Sequence, residues 1–272
     1  MIGVGIIGAG AIGSAVASGL ADDAVPGVRL AAIAGRPHSL ERLAPLARRF
    51  GCAAVSEALE LPEAGANLVV EAAGAEAARQ YTIPLLEKGC DVIIMSTGAL
   101  ADPGFVAKLK AIAEAGDRRV YLPAGSIAGI DGILSAMESG GVEIRVTTTK
   151  RPEALLGARY LVETGIDVTS ISEATTVFEG NARDAAAGFP ANLNVALTLA
   201  SAGGGVDRVK VRIVADPNTD FTVHKIEVAS KSGKILVEMT NRPSEANPKS
   251  SWLAALSAVA TIRKIASPLR IG

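Results

Sequence analysis

The first 123 residues alternate short apolar runs with stretches of helical periodicity. Ile2–Ile7 is an apolar run that ends in glycines, and an alanine-rich helix is expected over Ala11–Ala21. Further strands are expected at Arg29–Ala34, Asn67–Ala73, Asp91–Thr97 and Val120–Leu122. The helices between them fall at Leu40–Phe50, Ala75–Lys88 and Pro103–Ala115. Gly89 follows the second of these directly, a common helix stop. Strands that are apolar on both faces and separated by helices predict a parallel sheet covered on both sides, the doubly wound α/β pattern.

From about Ala124 the rhythm changes. After a helix near Ile127–Glu138, longer alternating strands are expected at Val142–Lys150, Ser170–Phe178, Arg208–Ala215, Val223–Ser230 and Lys234–Asn241. Lys231-Ser232-Gly233 joins the last two as a hairpin. Alternation means one buried and one wetter face, so this half predicts an α/β domain with a mixed sheet. A final helix over Ser250–Ile265 carries Leu253, Leu256, Val259 and Ile262 and needs a surface to bury them. It is expected to return to the N-terminal domain. The predicted division is therefore 1–123 with 248–272, and 124–247.

Composition narrows the function. The 272 residues are 49% hydrophobic and 20% charged, enough for a packed core and against extensive disorder. The 27 basic and 28 acidic residues leave a net charge of -1 with no basic block, so no nucleic-acid partner is expected. Two cysteines, Cys52 and Cys90, and two histidines form no metal-ligand spacing. No apolar stretch reaches membrane-spanning length and the N-terminus does not resemble a signal peptide, so a soluble cytoplasmic protein with a small-molecule partner is expected.

Gly8-Ala9-Gly10-Ala11-Ile12-Gly13 matches G-x-G-x-x-G, with a strand before it and a helix after it. Gly8 makes the turn, Gly10 admits the pyrophosphate, and Gly13 lets helix and strand pack closely. The N–H groups of Ala11, Ile12 and Gly13 then face the phosphates at a helix N-terminus. The second strand ends Ala34-Gly35-Arg36, without the acid that bonds a ribose hydroxyl. Arg36 can pair with a 2′-phosphate, which would admit NADP alongside NAD, or can be a solvated loop residue. His38, two residues on, reads as a surface side chain.

In Val223-His224-Lys225-Ile226-Glu227-Val228, alternation puts His224 with Ile226 and Val228, and turns Lys225 and Glu227 away. By itself the strand leaves His224 either a satisfied core histidine or a site residue. Asn192 and Asn194 follow Pro190 near a helix start; Asn192 suits a cap, whereas Asn194 is expected inside the helix.

Several segments, in order and spanning nearly the whole chain, resemble L-aspartate dehydrogenases. They are Ser96-Thr97-Gly98-Ala99-Leu100, Pro123–Asp131, Phe189–Ala196, Ala215–Thr219 followed by Val223-His224, and Asn247-Pro248-Lys249-Ser250-Ser251. A small departure is Ser250, where the family often has threonine. The resemblance implies a Rossmann domain plus an α/β domain that carries the substrate site and a homodimer contact. It implies His224 as the catalytic residue, and Ala128 and Asn194 as contacts on the nicotinamide side of NAD or NADP. The implied reaction is oxidative deamination of L-aspartate to iminoaspartate, then oxaloacetate and ammonia, or delivery of the imine to pyridine nucleotide biosynthesis. Lys249, Lys225, Lys150 and Arg151 are candidates for the substrate carboxylates, with Lys225 disfavoured by alternation. The alternatives are another two-domain Rossmann reductase and a non-catalytic NAD(P)-binding regulator. No His-His pair or Glu-Lys-Pro segment of the other reductases is present.

Overall fold

A computed structural model describes residues 1–21, 24–36, 40–189, 193–244 and 247–271. They form two compact units, 1–125 with 254–272, and 126–253. The first contains β1 (Ile2–Ile7), α1 (Ala11–Leu20), β2 (Val28–Ala34), α2 (Leu40–Arg49), β3 (Ala53–Val55), β4 (Leu68–Glu71), α3 (Ala75–Glu87), β5 (Asp91–Ile94), α4 (Pro103–Ala115) and β6 (Val120–Tyr121). Its sheet is parallel throughout, in the order β3-β2-β1-β4-β5-β6. That order reverses between β1 and β4, the place where doubly wound sheets bind their ligands.

Successive strand residues feed opposite apolar layers. Val69, Val92 and Ile94 pack with Leu85 and Leu86 of α3 and Leu109 of α4. Val4, Ile6, Val70 and Ile93 pack on the other side with Val16 and Leu20 of α1 and Leu43 of α2. The final helix, α9 (Trp252–Ala266), lays Ala258, Val259 and Ile262 into this second layer. Gly19 of α1 makes that approach close, since a Cβ there would lie 2.7 Å from Val259 Cγ2.

The second unit holds α5 (Ile130–Glu138), β7 (Glu143–Lys150), α6 (Arg159–Thr164), β8 (Thr175–Asn181), α7 (Ala182–Gly188), α8 (Asn194–Leu199), β9 (Val209–Ala215), β10 (Thr222–Ser230), β11 (Gly233–Asn241), β12 (Pro243–Ser244) and β13 (Asn247–Ser251). Its main sheet is mixed, ordered β11-β10-β7-β9-β8, with β7 and β9 parallel and the other neighbours antiparallel. The buried face runs Ile144, Val146, Thr148, Lys150 on β7, Val209, Val211, Ile213, Ala215 on β9, and His224, Ile226, Val228 on β10. Tyr160, Phe178 and Phe189 meet with ring centroids 5.1–5.6 Å apart and close one corner.

Several boundaries differ from the sequence-based expectation. The strand placed at Ser170–Phe178 lies at Thr175–Asn181, because the Asp167 carboxylate caps a short 3₁₀ turn over Val168–Ser170. The helix placed from Ile127 begins at Ile130, after Gly129 takes a left-handed φ of 76°. The last helix begins at Trp252 rather than Ser250, since β13 runs to Ser251, which pairs with Pro243. The chain crosses between units after residues 125 and 253, instead of after 123 and 247. No helix among the described residues is long and apolar enough to cross a membrane.

Candidate functional site

The glycine loop has the shape its spacing requires. Gly8 sits at φ +94°, where a Cβ would also press within 2.9 Å of the Ala72 carbonyl. At Gly13 a Cβ would fall 1.9 Å from the Gly8 carbonyl, so the first turn of α1 can lie on the loop only with hydrogen there. Gly10 is different. Nothing lies within 4 Å of its missing Cβ, and it opens α1 in extended conformation with no side-chain cap. Backbone N–H groups in the first turn of α1 have no intrahelical acceptors, and the concave space before them fits a pyrophosphate.

An open cavity of about 1080 Å³ extends from this loop. Gly8, Ala9, Gly10 and Ser14 form one side, Gly35 and Arg36 the end of β2, and Ala72 and Ala73 the end of β4. Ser14 is held by its hydroxyl, which donates to the Ala9 carbonyl at 3.1 Å. Arg36 is exposed on the cavity wall. His38 lies outside the described residues.

Beneath this wall lies a residue missed at the level of sequence. Glu71, the last residue of β4, is fully buried. Its carboxylate accepts from Ala73 N (2.7 Å), Gly74 N (2.9 Å), Ser96 N (3.1 Å) and the Ser96 hydroxyl (3.0 Å). Burial raises its pKa, and the four donors work against that rise. One side chain thereby fixes the chain leaving β4 to the chain leaving β5. The signal in the sequence was an acid closing an otherwise apolar strand.

In the second unit His224 is 4% exposed on β10. The antiparallel register sets it opposite Thr148, and its Nδ1 lies 3.0 Å from Thr148 Oγ1. With Nδ1–H donating to that hydroxyl, Nε2 carries the lone pair and is the nitrogen able to take up a proton. Burial, followed by the charge of Lys150, lowers the His224 pKa to about 3, so the imidazole is neutral at neutral pH. Lys150 lies two residues beyond Thr148, on the same buried face, and burial lowers its pKa to about 8.

The other candidates separate. Lys225 points to the opposite face and pairs with Glu227 at 3.7 Å, and Arg151 is taken up by Asp220 and the Thr219 carbonyl. The side chain of Lys249 and all of Asn192 lie outside the described residues. Ala128 is exposed in the loop before α5. That loop is tied down by the buried Asn241, which donates to the Ser126 carbonyl at 3.0 Å and accepts from Ser251 Oγ at 3.2 Å. Asn194 is exposed and is the first residue of α8, not an interior one, because Leu193 is the N-cap. Its carbonyl accepts from Thr198 Oγ1 at 2.8 Å. Among the described residues no group of three or more His, Cys, Asp or Glu is placed to hold a metal.

Comparisons with known proteins give consistent results. Residues 8–123 match the family model for the NAD-binding domain of homoserine dehydrogenase, and residues 131–265 the model for the C-terminal part of aspartate dehydrogenase. An L-aspartate dehydrogenase of Methanosarcina barkeri is 39% identical over 100% of both chains. L-aspartate dehydrogenase 2 of Bordetella bronchiseptica is 42% identical over 99% of this chain and 98% of its own. The crystal structure of aspartate dehydrogenase from Thermotoga maritima superposes with a TM-score of 0.75 at 27% identity, covering all of both chains.

Proposed function

The chain belongs to the L-aspartate dehydrogenase family, and from that membership we propose that it oxidatively deaminates L-aspartate with NAD or NADP, using His224 as the proton-transfer residue. The observation that carries this reading is the buried imidazole on the sheet face with Nδ1 3.0 Å from the Thr148 hydroxyl, a contact that makes Nε2 the basic nitrogen when Nδ1 carries the proton.

When bound, the nicotinamide supplies the acceptor for the hydride that leaves Cα. The protein's own part is to bind, orient and move protons. The Gly8–Gly13 loop and the start of α1 hold the pyrophosphate, and Ala128 and Asn194 are assigned to the nicotinamide side. The substrate must first give up an ammonium proton so that its nitrogen lone pair can form the C=N bond as hydride departs. Nε2 of His224 accepts that proton. Nε2 passes that proton on to solvent, and water then adds to the imine carbon, forming a C–O bond as Nε2 takes one of its protons. Nε2 hands this proton to the amino nitrogen, and the C–N bond breaks as the carbinol hydroxyl loses its own proton to solvent and becomes the ketone, leaving oxaloacetate and ammonia. General acid–base assistance of this kind contributes about 10²–10⁴-fold.

The same reading includes a homodimer formed through the 126–253 unit, implied by the family resemblance, and the cytoplasmic location expected from the sequence. Absorbance of the reduced nicotinamide tests the reaction: L-aspartate with NAD or NADP should give turnover, as should oxaloacetate plus ammonia in reverse. A protein that binds cofactor but turns over neither pair would refute the assignment.

Arg36 supplies a second test. Its place at the end of β2, on the cavity wall, suits a 2′-phosphate. A charge-assisted hydrogen bond is worth ~1.5–3 kcal/mol, so Arg36→Ala should weaken NADP binding by roughly 10–150-fold and leave NAD within about twofold. Equal losses for both cofactors would remove Arg36 from this role.

A further inference from the structure

We propose that Lys150 is the cation that receives a carboxylate of the substrate beside His224. This rests on His224 being the reacting base, and four observations about the sheet support it.

The first is register. Thr148 faces His224 across the β7–β10 pair, and Lys150 follows Thr148 by two residues, so all three side chains leave the same face. The second is burial: Thr148, Lys150 and His224 are 5%, 6% and 4% exposed. An ammonium withdrawn from water attracts a carboxylate more strongly than one at the surface.

The third is the fate of the other cations along β7, β9 and β10. Arg145, Lys210, Arg212 and Lys225 alternate onto the opposite, wetter face, where Arg212 lies 3.8 Å from Glu179 and Lys225 3.7 Å from Glu227. Of the basic residues along β7, β9 and β10, Lys150 alone shares the face of His224.

The fourth is electrostatic. Lys150 stays mostly protonated at neutral pH, and its field is one of the two causes that keep His224 neutral. A dianionic substrate changes that balance. A carboxylate seated on Lys150 offsets its field, so the imidazole becomes more basic when the substrate is present. Lys150 thus selects a carboxylate-bearing substrate and readies His224 for its proton in one binding event.

The test uses the full-length protein with cofactor bound, comparing Lys150→Met and Lys150→Arg with the wild type. The quantities are KM and kcat for L-aspartate, Ki for succinate (a dicarboxylate without the amino group), and Tm. Lys150→Met should raise both KM and Ki by about 10–150-fold, the range of one charge-assisted bond. Tm shows that each variant is folded before its constants are compared. Lys150→Arg should recover part of the succinate affinity. Succinate and aspartate constants within twofold of wild type in Lys150→Met would overturn the proposal, as would a fall in kcat with Ki unchanged. Should the wild type bind succinate yet not oxidise L-aspartate, the reaction assignment fails, and the succinate series still decides Lys150.

Discussion

Replacing His224 with alanine should lower kcat for L-aspartate oxidation by about 10²–10⁴-fold while leaving cofactor affinity within about twofold. The first effect follows from removing the proton acceptor. The second follows because the pyrophosphate is assigned to the Gly8–Gly13 loop and its cavity, whose lining does not include His224. The same substitution carries a signature in stability. The unfolded chain protonates this imidazole near pH 6.5, but the folded chain does so only near 3. Between those values the unfolded state binds more proton, so wild-type stability falls as the pH drops, by up to about 1.4 kcal/mol per unit. Above pH 6.5 the group adds no slope. Urea titrations at pH 7 and pH 5 should therefore show a smaller acid loss for His224→Ala than for wild type. An unchanged loss would mean the imidazole is not held neutral by the fold, and kcat within a few-fold of wild type would end its catalytic assignment.

The second large effect separates two glycines three residues apart. Gly13→Ala puts a methyl carbon where the Gly8 carbonyl lies 1.9 Å away, and backbone, not a yielding side chain, is the obstacle. The start of α1 must lift from the loop, with a cost of ~1–3 kcal/mol or more and loss of cofactor binding. Gly10→Ala meets nothing within 4 Å and has an ordinary φ of -73°. Its Tm should stay within a few degrees of wild type, yet the methyl group occupies the cradle of the pyrophosphate, so the cofactor Kd should rise at least about tenfold. Thermal unfolding and cofactor fluorescence measured on both variants decide the matter. A Gly10→Ala protein that binds cofactor as tightly as wild type would remove the phosphate from this position.

What was legible in the sequence follows from which forces act locally. The parallel sheet could be read because β1, β2, β4 and β5 are buried on both faces and therefore apolar at nearly every position. β3 escaped notice because Ala53–Val55 is a short, half-exposed edge with no pattern of its own. α6 and α7 span only six and seven residues, too few for a helical period to stand out, whereas α8 could be placed by Pro190 and the asparagines near its start. In the site, alternation along β10 placed His224 on an apolar face from sequence alone. The same alternation along Ile144, Val146 and Thr148 puts Lys150 inside, but its burial depends on chain folded over the strand from elsewhere. Glu71 and Asn241 act through partners far along the chain, at Ser96 and Ser126, and no local pattern reveals such pairings.

The return of α9 constrains how the molecule comes into being. Ala258, Val259 and Ile262 complete an apolar layer whose other buried members lie in the first 95 residues. A nascent chain that has just emerged through β6 holds the whole parallel sheet, yet one flank of it stays uncovered. It remains so throughout synthesis of 126–253, which needs nothing from downstream to form its own sheet. The unit that begins first thus finishes last. During that interval the exposed flank is the molecule's sticky surface, the place where a chaperone or a neighbouring nascent chain would find purchase.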